Sequence, residues 1–402
     1  MKDYILRKFL KYVKIDTMSS DEANTTPSTN KQFDLANVLI EDLKELGLTD
    51  IKLNESAILT ATLKSNCDSN LKIGFLAHMD TIPGFSGTNV KPNVIEKYDG
   101  RDIKLNIITI SNKEFTFLQD LKGQTIITTD GTTVLGADDK AGIADIMGML
   151  YYFHTHKDVK HTEIKVAFTP DEEIGSGIHK FNVKDFDCDF AYTVDGGRPY
   201  EINYENFNAA SAIVTFNGVD IHPGSAKGHM INAARVAIEF DSLLPCNQRP
   251  EYTDGYDGFN HLEEMKGTVS NATLYYIIRN HDMNKFNEQK KQFQAAISFI
   301  NNKYNNNVAS LEIHDSYYNM KDLIIKDDRC IKRAVKAIKD MGLEPQFTPI
   351  RGGTDGAQLT YMGLNTPNLG TGGYNCHGPY ELCSLDEMQA VSNILIKIAK
   401  EE

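Results

Sequence analysis

The stretch Leu71-Lys72-Ile73-Gly74-Phe75-Leu76-Ala77-His78-Met79-Asp80 decides the fold, because an apolar β-like run ends directly on a histidine, with an aspartate two positions later. Two more stretches share that form. Glu163-Ile164-Lys165-Val166-Ala167-Phe168-Thr169 is stopped by Pro170 just before Asp171-Glu172-Glu173-Ile174-Gly175, and Phe190-Ala191-Tyr192-Thr193-Val194 delivers Asp195-Gly196-Gly197. Two Gly-punctuated stretches complete the set: Gly136-Ala137-Asp138-Asp139-Lys140-Ala141-Gly142 and Asn375-Cys376-His377-Gly378-Pro379. Side chains so far apart in the chain form one site only where a fold gathers strand ends on one edge, which is where open α/β sheets place their ligands. The pattern predicts a two-metal hydrolase.

Outward from these strands, Leu6, Phe9, Leu10 and Val13 fall at helical spacing, and a second amphipathic helix ends near Gly47. Between them, Thr17 to Asn30 is rich in Ser, Thr and Asn and reads as a loop ordered only in part. Ala57 to Leu63 reads as a strand, Val90 to Thr129 as hairpins and turns, and Gly136 to Lys140 opens a helix running to about Tyr152. From about Asn206 the texture changes. Ala209–Phe216, Ala272–Arg279 and Val308–Ile313 are strand-like, while Met230–Leu244 and Asn284–Asn302 are helical, an order that suits a small α/β sandwich inserted into the main domain. The expected division is residues 1–205 and 321–402 for the main domain and 206–320 for the insertion. The resumed part should hold the helix Cys330–Met341, the turn Arg351-Gly352-Gly353-Thr354-Asp355-Gly356 and a capping box, Ser384-Leu385-Asp386-Glu387, that starts the last helix.

Composition narrows the partners. With 41% apolar residues, 402 residues are ample for large cores, and 42 basic against 55 acidic residues give a net charge of −13. That balance weighs against nucleic acid or an anionic membrane and favours a small substrate. No apolar run is long enough to span a bilayer, and Met1 to Lys8 reads as an amphipathic helix rather than a signal peptide, so a cytoplasmic protein is expected. The six cysteines show no CxxC pairing, which argues against a disulfide framework or a thiolate zinc site, and Cys376 beside His377 reads as a packing residue.

A zinc-type ion accepts histidine nitrogen and carboxylate oxygen, and a catalytic site keeps one position open for water. Two ions ~3.5–4 Å apart need a carboxylate that faces both. Asp138, between two glycines, is the candidate bridge. Glu172 and Glu173 point differently because neighbours in an extended chain do, so one can bind metal while the other serves as general base. His78 and Asp80, two apart, share one side of an extended chain, so Asp80 can hold the second imidazole nitrogen and fix its tautomer. A nucleotide-binding turn at Gly136–Gly142 is disfavoured by its two acids and by the absent GxxxxGK[ST] spacing.

Taken together, His78-x-Asp80, Gly136-Ala137-Asp138-Asp139-Lys140, Glu172-Glu173, Asp195, Ile221-His222-Pro223-Gly224-Ser225-Ala226, Arg351-Gly352-Gly353-Thr354-Asp355-Gly356 and His377 resemble the cocatalytic dizinc peptidase family of aminoacylases, carboxypeptidases and dipeptidases. The similarity spans essentially the whole chain. It implies an α/β catalytic domain with a mixed sheet flanked by helices, plus an inserted lid or dimerisation domain. It also implies two zinc ions per subunit, with cobalt or manganese as substitutes: one held by His78, Asp138 and Asp195, the other by Asp138, Glu173 and His377. Asp80 would orient His78, and Glu172 would be the base. An Asp at position 195 accompanies aminopeptidase-type activity in this family, which favours peptides with a free amino end, and the resemblance as a whole implies release of the N-terminal residue from tripeptides. The alternative is a dipeptidase or N-acyl amino-acid hydrolase. Arg279 and Arg351 would receive the substrate's terminal carboxylate, as a guanidinium grips a carboxylate bidentately. His222 would reach the metal centre of a partner chain in a homodimer formed through the inserted domains. A binding protein that had lost its chemistry would lack a ligand or the base, and here the set is complete.

Overall fold

A computed structural model describes residues 1–401, which divide into two compact units. The first unit contains Met1–Tyr204, Asp322–Thr348 and the chain from Thr354 onward, and the second contains Glu205–Lys321 with Pro349–Gly353. Arg351 therefore belongs to the second unit, although its position in the sequence suggested the resumed main domain. The reason is local: its guanidinium lies over the rings of Phe207 and Phe259, 5.2 and 5.7 Å from their centroids.

The first unit is built on an eight-stranded mixed sheet in the order Thr49–Leu53, Leu59–Leu63, Glu163–Thr169, Lys72–His78, Phe190–Gly196, Asn368–Gly370, Glu201–Asn203, Gln346–Phe347. Its four central strands, from Glu163–Thr169 to Asn368–Gly370, run parallel, and this explains their nearly continuous apolar sequence, since strands covered on both faces have no polar side to display. The register sets His78 opposite Thr169. Whatever follows either strand, and the end of Phe190–Gly196 beside them, thus emerges at one edge of the sheet.

The helix Ala137–Thr155 packs against the strands Lys72–His78 and Phe190–Gly196 and is itself covered by the helices Lys2–Tyr12 and Leu385–Ala399. It is apolar nearly all round, as a helix enclosed in this way must be. Its first residues depart from the expected helix: Gly136 has φ 76°, which glycine adopts freely, and Asp138 (φ −87°, ψ 100°) and Asp139 (φ −123°, ψ 35°) are non-helical. The capping box is half formed. Ser384 Oγ accepts from Glu387 N–H at 3.2 Å, but the Glu387 carboxylate accepts from Tyr374 OH at 2.6 Å, and the Ser384 N–H donates to Gly372 O instead.

The second unit is a four-stranded antiparallel sheet, ordered Phe259–Gly267, Asn271–Asn280, Asn208–Asn217, Ala309–Tyr317, with the helices Ala233–Leu243 and Met283–Lys303 packed against it. Alternate residues of the strand Asn271–Asn280 are buried. Leu274, Tyr276 and Ile278 join Phe240, Phe286 and Phe293 in the core, and Arg279 falls on the opposite face. Among the described residues, no helix is long and apolar enough to cross a membrane.

Candidate dinuclear metal centre

Because the parallel strands end together, the side chains that follow them converge. His78 is 2% exposed, and its Nε2 lies 2.8 Å from Asp138 Oδ1 and 3.7 Å from Asp195 Oδ1. The other Asp138 oxygen, Oδ2, lies 3.1 Å from His377 Nε2, which is also 3.0 Å from Glu173 Oε2. One carboxylate thus presents one oxygen to each of two histidines. Donor atoms of His78, Asp138 and Glu173 all lie within 4.8 Å of one another, and so do those of His78, Glu172 and Asp195.

The supports are as specific as the donors. Asp80 is fully buried, with Oδ1 3.3 Å from His78 Nδ1, and it also accepts the backbone N–H groups of Glu172 at 3.0 Å and Glu173 at 3.2 Å. One aspartate therefore fixes both an imidazole and the acidic turn. Asp139 accepts from His78 N–H at 3.3 Å and Gly142 N–H at 3.2 Å, and so ties the start of the helix to the end of the strand. Glu381, also buried, accepts from the N–H groups of Leu135 at 2.6 Å, Gly136 at 2.8 Å and Asp138 at 3.0 Å. Three non-glycine residues here have left-handed backbones: Asp171, Asn375 and His377, with φ of 53°, 53° and 69°. Such conformations persist only where the surroundings over-determine them.

The electrostatics are lopsided. Burial and the charge of Asp195 push Glu172 well above the usual carboxylate range, burial pushes Glu173 up to about 7, and it pushes Asp195 to about 6. Burial acts on Asp138 in the same direction, but the His377 and His78 rings outweigh it and hold this carboxyl low. Hydrogen bonds to Asp138 and Glu173 in turn raise His377 to about 10. Among the described residues, only these two histidines pair with the clustered acids. A pocket with so many carboxylates and so little positive charge is matched by cations, and its donors, two imidazoles with carboxylate oxygens and no thiolate, suit zinc-type ions. The bridge geometry at Asp138 is what a pair of such ions requires.

The profile of peptidase family M20/M25/M40 matches residues 134–401. The chain is 50% identical to a peptidase T of Geobacillus thermodenitrificans over 404 residues, covering 100% of this chain and 98% of that protein. The chain belongs to peptidase family M20/M25/M40. It is also 48% identical to a peptidase T of Bacillus subtilis, covering 100% of this chain and 99% of that protein. Among solved structures it shares its fold with the aminopeptidase PepT of Bacillus cereus, at a TM-score of 0.79 and 20% identity over 99% of this chain and 98% of that one. A Bacillus subtilis protein described as a dinuclear metal binding peptidase of the M20 family matches at a TM-score of 0.66 and 13% identity, over 99% of this chain and 97% of that one. The mixed sheet flanked by helices is thus the M20 peptidase fold.

Seven of the residues singled out in the sequence meet in this cluster: His78, Asp80, Asp138, Glu172, Glu173, Asp195 and His377. The other three lie in the second unit. His222 begins the exposed turn Pro223–Ser225, and its Nδ1 accepts from Gly224 N–H at 3.1 Å. That bond fixes the ring's tautomer, because an accepting Nδ1 carries no hydrogen and Nε2 must then be the donor. Arg279 lies over the Tyr317 ring, 5.2 Å from its centroid, and donates from Nη1 to Ile278 O at 3.2 Å and Ala210 O at 3.4 Å. Arg351 donates from Nη1 to Gly255 O at 2.7 Å and Asp257 O at 2.9 Å, and from Nη2 to Thr253 Oγ1 at 3.0 Å. Sequence reading passed over Glu381, Asp139 as an anchor, and Asp355, which accepts from Thr169 Oγ1 at 2.8 Å. Nothing in the local sequence separates Glu381 from a solvated turn acid; only the folded turn aims three N–H groups at it.

Proposed function

We propose that this chain is a two-metal aminopeptidase that releases the N-terminal residue from tripeptides. The observation that carries this reading is the Asp138 carboxylate, which offers one oxygen to His78 and the other to His377. His78, Asp138 and Asp195 would hold one ion and Asp138, Glu173 and His377 the other, with zinc the first choice and cobalt or manganese able to replace it. Bound there, the ions supply Lewis acidity to the attacking water and the scissile carbonyl. Glu172, buried and raised in pKa, takes the proton from that water and returns it to the leaving amine nitrogen. Asp80 keeps His78 in one tautomer and orientation. Similarity to peptidase T proteins along their whole length supports the tripeptide substrate.

Arg279 and Arg351 receive the terminal carboxylate, which sets the length of peptide accepted. The enzyme acts as a homodimer formed through the second units, and His222 donates its Nε2–H to the oxyanion at the partner's centre. Six free cysteines suit a reducing compartment, in keeping with action in the cytoplasm. The test is metal analysis of the purified protein, followed by hydrolysis of a tripeptide, its N-acetyl form and its C-terminal amide, with and without chelator. The expected result is two metal equivalents, chelator-sensitive cleavage of the free tripeptide, a higher KM for the amide and no cleavage of the acetylated form. Efficient cleavage of the acetylated peptide would replace this reading with an N-acyl amino-acid hydrolase.

A further inference from the structure

Asp171 stands next to the acidic pair, yet its carboxylate bonds to Ser28 and Gln32 rather than to any donor of the metal centre. Its Oδ1 accepts from Ser28 Oγ and Gln32 Nε2, both at 2.6 Å, and its Oδ2 accepts from Ser28 N–H at 2.6 Å. The Asp171 N–H donates to Gln32 Oε1 at 3.1 Å, and its carbonyl accepts from Ser176 and Gly177 N–H at 3.1 and 3.3 Å. The residue is fully buried and in the left-handed conformation.

Ser28 and Gln32 anchor the far side. The loop that contains Ser28 was expected from its composition to be ordered only in part, but the structure ties it down at several points. Ser20 N–H donates to Ser28 Oγ at 2.9 Å, Thr29 Oγ1 donates to Met18 O at 2.8 Å, and Ser19 donates from N and Oγ to Thr81 O at 3.0 and 3.1 Å. Thr81 follows the strand that carries His78, and Asp171 follows the strand that precedes Glu172. The loop therefore ties together two strand extensions that Asp80 also joins through the Glu172 and Glu173 N–H groups, so the turn Glu172–Ile174 is held by both Asp80 and Asp171.

We infer that Asp171, through Ser28 and Gln32, is a positioning residue that holds the Glu172 carboxylate in the direction in which it transfers protons. The inference rests on the reading of Glu172 as general base. Asp171→Asn would set an amide N–H against the donors of Ser28 or Gln32, and Ser28→Ala removes one hydroxyl while leaving the remaining bonds to keep the fold.

Both variants, loaded with metal, are expected to bind two equivalents. Their kcat for a tripeptide should fall, by up to roughly 10²-fold in Asp171→Asn, as a displacement of ~1 Å does, while KM changes by less than about threefold. Ser28→Thr, which keeps both donors, should restore turnover. Amide hydrogen exchange supplies a readout independent of activity. Residues 171–177 should exchange faster in both variants, with the strand Glu163–Thr169 unchanged. Unchanged exchange at 171–177, or a kcat within about twofold of the parent in Asp171→Asn, overturns the inference. Should Asp171→Asn fail to fold, the same two measurements on Ser28→Ala decide it. Full turnover in Glu172→Gln would instead defeat the general-base reading and leave the exchange result to judge the brace alone.

Discussion

In the first unit, buried carboxylates crowd around two histidines, and among the described residues no other cationic side chain is paired to them. In the second, Arg279 and Arg351 already have guanidinium hydrogens committed to backbone carbonyls and aromatic faces below them. The first arrangement carries far more negative than positive charge, and the second holds each guanidinium in place through part of its donors, three of five in Arg351. An imbalance of that kind marks a place where chemistry is done, since burying unpaired charge is costly and persists only where something else offsets it. The second arrangement suits recognition, because side chains already held in place lose less freedom when they bind. The two regions should therefore fail differently: damage to the first removes metal or kcat, and damage to the second raises KM.

The sharpest division is expected between neighbours. Glu172→Gln should lower kcat by roughly 10²–10⁴-fold while metal analysis still returns two equivalents. Glu173→Gln removes an oxygen donor beside His377 and should lose metal. If both variants kept their metal and differed only in rate, the division of labour between the two acids would be wrong.

His222 tests the contrast from the other side, because it lies in the second unit and is assigned to chemistry. Its Nδ1 is occupied by Gly224 N–H, so Nε2 is fixed as a hydrogen donor. Loss of one oxyanion donor lowers kcat by about 10²–10³-fold, so His222→Ala should be nearly inactive with its metals retained. If the proposed shared-site dimer forms, mixing it with Glu172→Gln should restore part of the activity, since one site of a mixed dimer would then have both groups intact. A monomer at assay concentration, or no recovery after verified subunit exchange, would confine catalysis to one chain.

How much of this was legible in sequence follows the same divide. Runs such as Ile73–Ala77 and Val166–Phe168 are apolar because both faces of a parallel sheet are covered, so strand, boundary and terminal ligand could all be read together. The strand Phe259–Gly267 could not be. It is an edge strand whose residues, as in His261-Leu262-Glu263-Glu264-Met265-Lys266, are largely exposed, and it carries no clean alternation to detect. Glu381 and Asp171 were missed for a related reason: their work is to accept backbone N–H groups from distant segments, and no spacing rule encodes a partner such as Leu135 or Ser28. The capping box is only half formed: Ser384 caps the last helix as expected, but the Glu387 carboxylate accepts from Tyr374 OH, a partner from another segment. His222, Arg279 and Arg351 were nameable only through family resemblance, as nothing in their local sequence marks them.

Arg351 gives the smallest expected effect and the finest test of that resemblance. Three of its five guanidinium donors are used by Gly255, Asp257 and Thr253, leaving two for a carboxylate. Arg351→Lys keeps the charge but cannot serve the loop and a carboxylate together, so the tripeptide KM should rise roughly tenfold, ~1.4 kcal/mol, with kcat nearly unchanged. A pure KM change is the signature of lost binding that does not distinguish ground state from transition state. The C-terminal amide decides whether the carboxylate is the partner. It lacks the negative charge, so parent and variant should bind it equally, and the two changes together should be no worse than the amide alone. If Arg351→Lys weakens the free acid and the amide by the same factor, Arg351 acts by tethering the loop around Thr253–Asp257, and the carboxylate must be read by another residue.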